Sequence, residues 1–513
     1  MGLRLTPGYT MTATVAAIAT FAVGTVALDM DALGSALLAL IVVILTVATW
    51  RGSTIAEWVS RRRKVVVPTR HVVLSSRDRA AVVRDAVAGT ATAWLELSPS
   101  DTFAVTRVSA DGRASRDPID LPLLASLMQQ DDIIVSSIEV ITLGQPSVKP
   151  STVSQEISRM AGAVPTHHSG RVLLKVTVDT AEAHAAITAR STRGDYAAGL
   201  SKTLLAAAAR MRIRLDAEGV RAELLTPAQV SELTTEVAPV VAGKPAWSSI
   251  KGTRTRTAFY TPTGTPDAES QADWLRIGAL RTYENIILRR ERGGVVASYI
   301  VGFTTAADST VEGQIKGLPL RALGGQQLQA ATRFVPLVSD IALALPALPV
   351  TSVRAWPGPL GMYVGSTSTG TRTFMHVPGG SGKTLHVSGS MDLGKQMVVR
   401  LSKQHVSVDV RMSSTAEMAD DWRRMVSALK SPLVTFNAAG NPDVVVVPEG
   451  VESDYATTAA TVMVVGLRRP AVPPAASITA SAPGELTVTR ATEQHQVKWA
   501  TTAAEKSAME GRA

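Results

Sequence analysis

The sequence predicts a mixed α/β fold that follows a two-helix transmembrane hairpin. Two uncharged stretches lie within the first fifty residues, and strand-like and helix-like patterns alternate after about residue 65. At 513 residues, the chain is long enough for two to four folding units. We divide it into the hairpin with a basic segment at 1–64, α/β regions at 65–240 and 241–468, and a mostly disordered, Pro/Ala/Ser/Thr-rich tail at 469–513.

The composition limits the classes of function. Cysteine is absent, which excludes disulfide bonds, thiolate metal sites and a cysteine nucleophile. The formal charge is +9, yet the basic residues are scattered and are not interleaved with aromatic ones, as they are in single-strand nucleic-acid binders. We therefore expect no nucleic-acid partner and take the lipid bilayer surface as the anionic neighbour.

The predicted spans cover about 9–28 and 32–50, each close to the length that crosses roughly 30 Å of hydrocarbon. The turn between them carries only acid, at Asp29 and Asp31, whereas a basic run follows at 61–64. By the positive-inside rule, both termini and the long C-terminal part are then cytoplasmic, in a two-span inner-membrane protein. A cleaved signal peptide is the alternative for the first stretch, although a second span before a basic cluster argues against it.

Small residues recur along one face of the first predicted helix, at Ala16, Thr20 and Gly24. Such a face lets another helix approach closely, so these are candidate interface positions. The alternative is that this face contacts only the second helix of the hairpin. The sequence leaves both interpretations open.

Patterns after residue 65 predict a β-α-β unit, with strands at 171–178 and 220–225 around a helix at 196–219. Strands at 91–97 and 103–108 are predicted to pair with each other, as are strands at 286–290 and 295–303. Helices are predicted at 392–403 and 416–429.

One segment is similar to a nucleotide-binding motif. Residues 378–384 (PGGSGKT) end with the Gly-Lys-Thr sequence that ends a phosphate-binding loop. Val377 stands where that loop needs its first glycine, and a β pattern follows where it needs a helix. We therefore predict a glycine-rich hairpin turn between strands at 373–377 and 385–387. His167 and His168 have no ligand-spaced companion and indicate a surface loop. We predict no catalytic, cofactor or metal site.

Several short motifs resemble the EccE family, the inner-membrane component of the type VII (ESX) secretion system of mycobacteria. They are 247–252 (WSSIKG) with Tyr260, 323–326 (LGGQ) with Gln329, and 361–365 (GMYVG), together with the β-α-β unit. The resemblance implies a cytoplasmic domain similar to glycosyltransferase folds but without their metal-binding DxD motif. It also indicates six structural or interface positions: Trp247, Lys251, Gly252, Tyr260, Gly325 and Gln326.

The resemblance also implies a function. EccE is a non-catalytic structural subunit of a hetero-oligomeric complex with EccB, EccC and EccD, in which EccC is the ATPase and which exports small helical WXG-type proteins. The mycosin protease is a further candidate partner. Two other classes compete: a membrane-tethered glycosyltransferase-like enzyme at the cytoplasmic leaflet, which needs a carboxylate pair at a strand end, and a nucleotide-driven motor that would use Lys383.

Overall fold

The computed structural model describes most of the chain. The described residues are 2–3, 7–26, 28, 31–50, 53–54, 72–77, 79–109, 114–116, 118–144, 152–162, 169–192, 194–275, 277–291, 293–307, 309, 311–350, 355–378, 382–404, 406–412, 415–451, 460–467 and 474–512. Two large sheets, here called the antiparallel sheet and the mixed sheet, organise them.

Helices and strands alternate along most of the chain. The helices are α1 (Pro7–Val26), α2 (Ala32–Val47), α3 (Leu121–Ser126), α4 (Thr152–Ala161), α5 (His184–Arg190), α6 (Tyr196–Ala217), α7 (Pro227–Val237), α8 (Pro239–Ala242), α9 (Ala268–Leu275), α10 (Val311–Lys316), α11 (Gln327–Thr332), α12 (Met391–Leu401), α13 (Ala416–Leu429) and α14 (Ala503–Met509). The strands of the first half are β1 (Gly2–Leu3), β2 (Ala48–Trp50), β3 (Ser53–Thr54), β4 (Val72–Arg77), β5 (Ala80–Asp85), β6 (Thr90–Pro99), β7 (Val105–Val108), β8 (Gln129–Gln130), β9 (Ile133–Ile134), β10 (Ser137–Gly144), β11 (Gly170–Asp179), β12 (Val220–Leu224), β13 (Lys244–Pro245) and β14 (Ile250–Lys251). The remaining strands are β15 (Thr255–Pro262), β16 (Arg281–Glu291), β17 (Gly294–Ala306), β18 (Leu320–Ala322), β19 (Met362–Ser366), β20 (Arg372–Met375), β21 (Thr384–Ser388), β22 (Val408–Val410), β23 (Val434–Phe436), β24 (Val444–Pro448), β25 (Thr461–Gly466), β26 (Ala476–Ala482), β27 (Glu485–Arg490) and β28 (Glu493–Lys498).

The predicted transmembrane hairpin is wrong. Helix α2 has only 16 residues, about 24 Å at 1.5 Å per residue, which is short of the roughly 30 Å hydrocarbon core. Helix α1 has 20 residues but includes five threonines. None of the helices in the described ranges is both long and apolar enough to cross a membrane. Because residues 32–50 carry no charge, the second predicted span runs to Trp50. In the structure, α2 ends at Val47 and the chain continues as β2.

The antiparallel sheet has the strand order β13-β14-β15-β17-β16-β10-β11-β6-β5-β4, with β12 beside β6 and β18 beside β15. Its strands come from both sides of residue 240, so the two predicted α/β regions share one sheet. Apolar side chains cover both faces. Helices α3, α5, α6, α9 and α10 contribute to the cluster on one face, and α7, α8 and α11 to the cluster on the other.

The β-α-β unit predicted at 171–225 is present in a split form. Strands β11 and β12 both pair antiparallel with β6, so they run parallel to each other with β6 between them. Helix α6 connects them. Its N-cap is Asp195, whose side chain accepts a hydrogen bond from the Ala198 amide, and Gly219 with φ +75° ends the turn before β12.

The mixed sheet has the order β23-β22-β24-β25-β21-β26-β27-β28-β19-β20-β7. The first six of these strands are parallel, with α12 and α13 packed in their apolar cluster, and the rest are antiparallel. The predicted hairpin around the glycine-rich loop is therefore wrong, because β20 pairs with β19 and β7, whereas β21 pairs with β25 and β26. Residues 379–381 of that loop lie outside the described residues. The strand expected after Lys383 is β21.

Residues 474–512 are structured, although their composition predicts a mostly disordered tail. Strand β26 adds to β21, β27 and β28 continue the sheet, and α14 packs its Ala508 and Met509 into the core. A buried ion pair fixes this helix. The Nε atom of Arg400 on α12 donates to Glu505 Oε1 at 2.7 Å, and its Nη1 atom donates to the Tyr363 and Val364 carbonyls at 3.0 Å. Pairing with the mixed sheet and the buried Arg400–Glu505 ion pair therefore order residues 474–512, which their composition alone does not predict.

The two sheets are interleaved in sequence. Strand β7, from the first quarter of the chain, pairs with β20 and not with β6, so the predicted pairing of 91–97 with 103–108 is wrong. Helix α4 likewise packs in the apolar core of the mixed sheet. The hydroxyl of Ser169 donates to the Lys403 carbonyl at 2.9 Å, next to the start of β11. The chain thus passes from the antiparallel sheet to the mixed sheet and back twice before residue 170.

Replacing Glu505 by Gln should destabilise the protein by about 3 to 5 kcal/mol, because the 2% exposed Arg400 guanidinium loses its carboxylate. Urea unfolding followed by tryptophan fluorescence measures this change. Glu510→Gln is the matched control, since Glu510 pairs at the surface with Arg512 and should cost under about 1 kcal/mol. Equal losses in the two variants would contradict a structural role for the Arg400–Glu505 pair.

Candidate functional site

Trp247 and Gly325, two of the positions selected from the sequence, meet in the structure. The Gly325 amide donates to the Trp247 carbonyl at 2.7 Å. Gly325 has φ +71°, which favours glycine, and a methyl group at Gly324 would lie 2.8 Å from the Trp247 indole nitrogen. The loop before β14 and the turn before α11 therefore pack against each other, and Gly324 and Gly325 permit this close approach.

The side chain that joins this turn to the sheet is Gln327, one residue after the selected Gln326. Its amide oxygen accepts from the Phe259 amide at 2.7 Å, and its amide nitrogen donates to the Phe259 and Leu323 carbonyls. Tyr260, also selected, lies opposite Val301 and packs its ring against Phe303 with centroids 6.0 Å apart. These contacts are structural.

Lys251 and Gly252 lie at an exposed corner of the antiparallel sheet. The Gly252 amide donates to the Thr255 carbonyl at 2.8 Å and closes the turn between β14 and β15. Lys251 stands opposite Lys244 on one side and Arg256 on the other. We call Lys244, Lys251, Arg254 and Arg256 the basic edge.

The small-residue face of α1 packs on α2. Gly24 is buried there, and a methyl group at this position would lie 2.8 Å from the Ser35 hydroxyl oxygen. The Thr20 hydroxyl donates to the Ala16 carbonyl at 2.7 Å, within its own helix. The side chains of Val15 and Ile18, also on α1, are exposed. Gly24 therefore contacts α2, and an interface of this face with another helix stays a prediction.

A buried ion cluster, which the sequence analysis missed, lies on the α7–α11 face of the antiparallel sheet. Lys175 on β11 stands directly opposite Glu139 on β10, with Nζ 3.1 Å from Oε1. Its Nζ also lies 2.6 Å from Asp340 Oδ2. Arg333 Nη1 lies 3.2 Å from both carboxylates, and the Asn285 amide donates to Glu139 at 2.6 Å.

The charges in the ion cluster compensate one another. Burial alone would raise the pKa of Asp340, but the charges of Lys175 and Arg333 outweigh it and hold the pKa below its usual value. Burial would likewise lower the pKa of Arg333, but Asp340 and Glu139 raise it. Two cations and two anions therefore form a neutral set, which suits holding structure together better than proton transfer.

Residues 333–345, which we call the covering segment, close over the ion cluster. A cavity of about 300 Å³ lies between this segment and the sheet. Its walls include the side chains of Thr90, Thr92, Thr177, Leu343 and Leu345. The covering segment is held at its far end by the Arg289 guanidinium, which donates to the Leu345 carbonyl at 3.4 Å.

A sequence signal for the ion cluster exists in the strands themselves. Lys175 is the one charge inside the apolar run 172–178, and Glu139 interrupts the apolar run 138–143 in the same way. A single charge within a buried strand indicates a buried partner, since unpaired buried charges are costly. Which residues pair depends on strand register and on the distant Asp340, neither of which the sequence specifies.

Glu284 is a buried carboxyl group on the opposite face of β16. Burial raises its pKa to about 7, and a hydrogen bond from Tyr299 only partly offsets this. The Tyr299 hydroxyl in turn accepts from the Gln271 amide at 2.8 Å. Glu284 therefore makes stability depend on pH near neutrality.

Nothing in the described part of the chain assembles a metal site, since no three His, Cys, Asp or Glu side chains lie close enough to hold an ion. His167 and His168 lie outside the described residues. Lys383 is followed by strand β21, whereas a phosphate-binding loop requires a helix there.

Comparison with known families finds that part of the chain is similar to a family of secretion-system translocon components. The model of one family, described as "Putative type VII ESX secretion system translocon, EccE", matches residues 166–261. This stretch runs from β11 into β15 and contains Lys175, Trp247 and all four residues of the basic edge. The resemblance to EccE is thus confirmed over this region. No curated protein matches the chain.

Asp340→Asn should destabilise the protein by about 3 kcal/mol at pH 7, because it leaves Lys175 and Arg333 with one carboxylate between them. A depressed carboxyl pKa contributes stability above about pH 4, which is lost as the pH falls and the folded-state carboxyl protonates. The difference between the two proteins should therefore shrink toward pH 3. Urea titrations at several pH values, with the exposed Asp216→Asn as control, measure it; a difference that does not vary with pH would contradict this account.

Glu284→Gln should stabilise the protein at pH 8 and have little effect at pH 4. The folded carboxyl holds its proton up to about pH 7, so wild-type stability falls as the pH rises from about 4.5 to about 7. The gain at pH 8 is roughly 3 kcal/mol at most, by 1.36 kcal/mol per pKa unit. Thermal unfolding across this range tests it, with the exposed Glu218→Gln as control. Parallel pH profiles for wild type and Glu284→Gln would refute the prediction.

Proposed function

We propose that the chain is a non-catalytic structural subunit of a type VII (ESX) secretion translocon. In this role it would stabilise the assembly with EccB, EccC and EccD for export of small helical proteins. The match of residues 166–261 to the EccE family carries the proposal. The neutral ion cluster supports a structural role, because its two cations and two anions pair with one another and hold the covering segment to the sheet.

The basic edge is the surface that we propose for contact with a partner subunit. Residues directly opposite each other on neighbouring strands share one face of the sheet, so Lys244, Lys251 and Arg256 form a row of three cations. Arg256 donates to the hydroxyls of Ser248 and Ser249. Across the described ranges, no carboxylate forms an ion pair with Lys244, Lys251 or Arg254.

The cost of this row indicates what it binds. Like charges directly opposite each other destabilise a sheet by up to about 1 kcal/mol per pair. A partner with an acidic surface removes that cost and gains ion pairs across the interface. We therefore propose that the basic edge binds an acidic face of a neighbouring translocon subunit.

The double variant Lys244→Glu/Lys251→Glu should lose its place in the assembly. The tagged full-length chain is purified from membranes in mild detergent, and a native gel with mass spectrometry identifies what migrates with it. Wild type should migrate with EccB, EccC and EccD, and the variant should migrate alone, since reversal turns attraction into repulsion.

Arg212→Glu/Arg214→Glu is the matched control. It makes the same change in net charge at two exposed positions on α6, away from the basic edge. This variant should assemble normally. If Lys244→Glu/Lys251→Glu also assembled normally, the proposed role of the basic edge would be contradicted. The two lysines would then serve only to keep the edge strand β13 from pairing with strands of other chains. If the wild-type chain migrated alone on the native gel, the proposal that it is a translocon subunit would be contradicted.

A further inference from the structure

Two arginines and a histidine lie near one another where the antiparallel sheet meets the segment leading into the mixed sheet. We call Arg116, Arg221 and His376 the junction cluster. The Arg116 Nη2 atom donates to the Pro359 carbonyl at 3.4 Å. Arg221 on β12 stands opposite Ser98 on β6.

Residues 358–361 bring these side chains together. Gly358 has φ +136°, and a methyl group there would lie 3.2 Å from the Ser98 Cα atom. A methyl group at Gly361, which has φ +91°, would lie 2.8 Å from the His376 Cα atom. Only glycine allows these two backbone approaches, so the chain between the sheets is built to pass close to both the β6 end and His376.

Several buried polar nitrogens in and beside the junction cluster have no hydrogen-bond partner among the described residues. The Nε and Nη1 atoms of Arg116 are shielded from solvent and have no partner, and neither has His376 Nδ1. The indole nitrogen of Trp356, in the same connecting segment, is also buried without a partner. Buried polar atoms are nearly always paired in native proteins, so the unpaired donors of Arg116 and Trp356 indicate a missing acceptor.

The electrostatics of the junction cluster point the same way. Burial lowers the pKa of Arg116 to about 10, with no acidic group acting to raise it. Burial, followed by the charges of Arg116 and Arg221, lowers the pKa of His376 to about 4. The region is therefore positive and poor in water, which is a setting that an anion would relieve.

We propose that the junction cluster binds a tetrahedral oxyanion, the phosphate group of free inorganic phosphate or of a small phosphate monoester. The Arg116 guanidinium supplies a positive charge, and its unpartnered Nε and Nη1 atoms offer charge-assisted donors on different sides of the group, either of which can bind an oxygen of such an anion. Arg221 supplies a second positive charge. His376 becomes a donor when it takes up a proton beside the bound anion.

Isothermal titration of the full-length protein with inorganic phosphate and with glycerol 3-phosphate tests this proposal. Arg116→Met should weaken binding about tenfold or more, which is the loss of one charge-assisted contact. Arg212→Met, an exposed arginine on α6, is the matched control and should bind as wild type does. Arg221→Met, checked for folding by circular dichroism, gives a second measurement should Arg116→Met fold poorly.

The two probes distinguish the sources of the phosphate group. Binding of inorganic phosphate alone assigns the site to the free ion, and tighter binding of glycerol 3-phosphate assigns it to a monoester. Both results support the proposal. If neither probe binds, or if Arg116→Met and Arg221→Met bind as tightly as wild type, the proposal is overturned and the orphaned donors bind only water.

Sulfate gives a pH test, because its charge stays constant between pH 5 and pH 8. Arg116 and Arg221 are the charged groups that face His376, and a bound anion offsets them and raises the His376 pKa. Sulfate should then bind more tightly as the pH falls from 7.5 to 5.5, since binding takes up a proton. His376→Gln should bind with no such dependence. A wild-type affinity that is flat over this range would remove His376 from the site.

Discussion

The register of four central strands is the constraint on which the antiparallel sheet depends. Strands β6, β11, β10 and β16 align so that Lys175 stands opposite both Trp94 and Glu139, and Asn285 reaches the other oxygen of Glu139. A slip by one residue would turn Lys175 and Glu139 to the opposite face, where α6 and its apolar neighbours pack. The ion cluster thus penalises any other register, and it also fixes the covering segment through Asp340 and Arg333.

Charges in this protein fall into two kinds according to their surroundings. In the ion cluster and at the Arg400–Glu505 pair, buried charges of opposite sign lie within hydrogen-bond distance and hold distant parts of the chain together. At the basic edge, cations stand directly opposite one another on neighbouring strands, and in the junction cluster two arginines lie near His376. The first kind explains stability. Charges of the same sign in close proximity are costly in the isolated chain, and on that ground we propose these two places as binding sites for other molecules.

The interleaving of the two sheets links these features. Because β7 and α4 belong to the mixed sheet although they precede β11, neither sheet is formed by a continuous stretch of chain. The connecting segment around Gly358 and Gly361 must then pass between the sheets, and this passage creates the junction cluster. The region that matches EccE, residues 166–261, lies almost wholly in the antiparallel sheet, whereas the junction cluster lies mainly outside it.

Local patterns in the sequence determined the elements with strong periodicity. The long helix α6 with its Asp195 cap, the β16–β17 hairpin and helices α12 and α13 follow from apolar spacing and turn residues within a short window. The motifs around Trp247 and Gly325 likewise located two turns that meet in space. Only the tertiary structure decided which strands pair, because β7 pairs with β20, in a distant part of the chain, and β21 pairs with β25 and β26, and no local sequence pattern specifies these partners. It also decided where α2 ends, that residues 474–512 are ordered, and that Lys175 meets Asp340, since each depends on burial against parts of the chain that no local window contains.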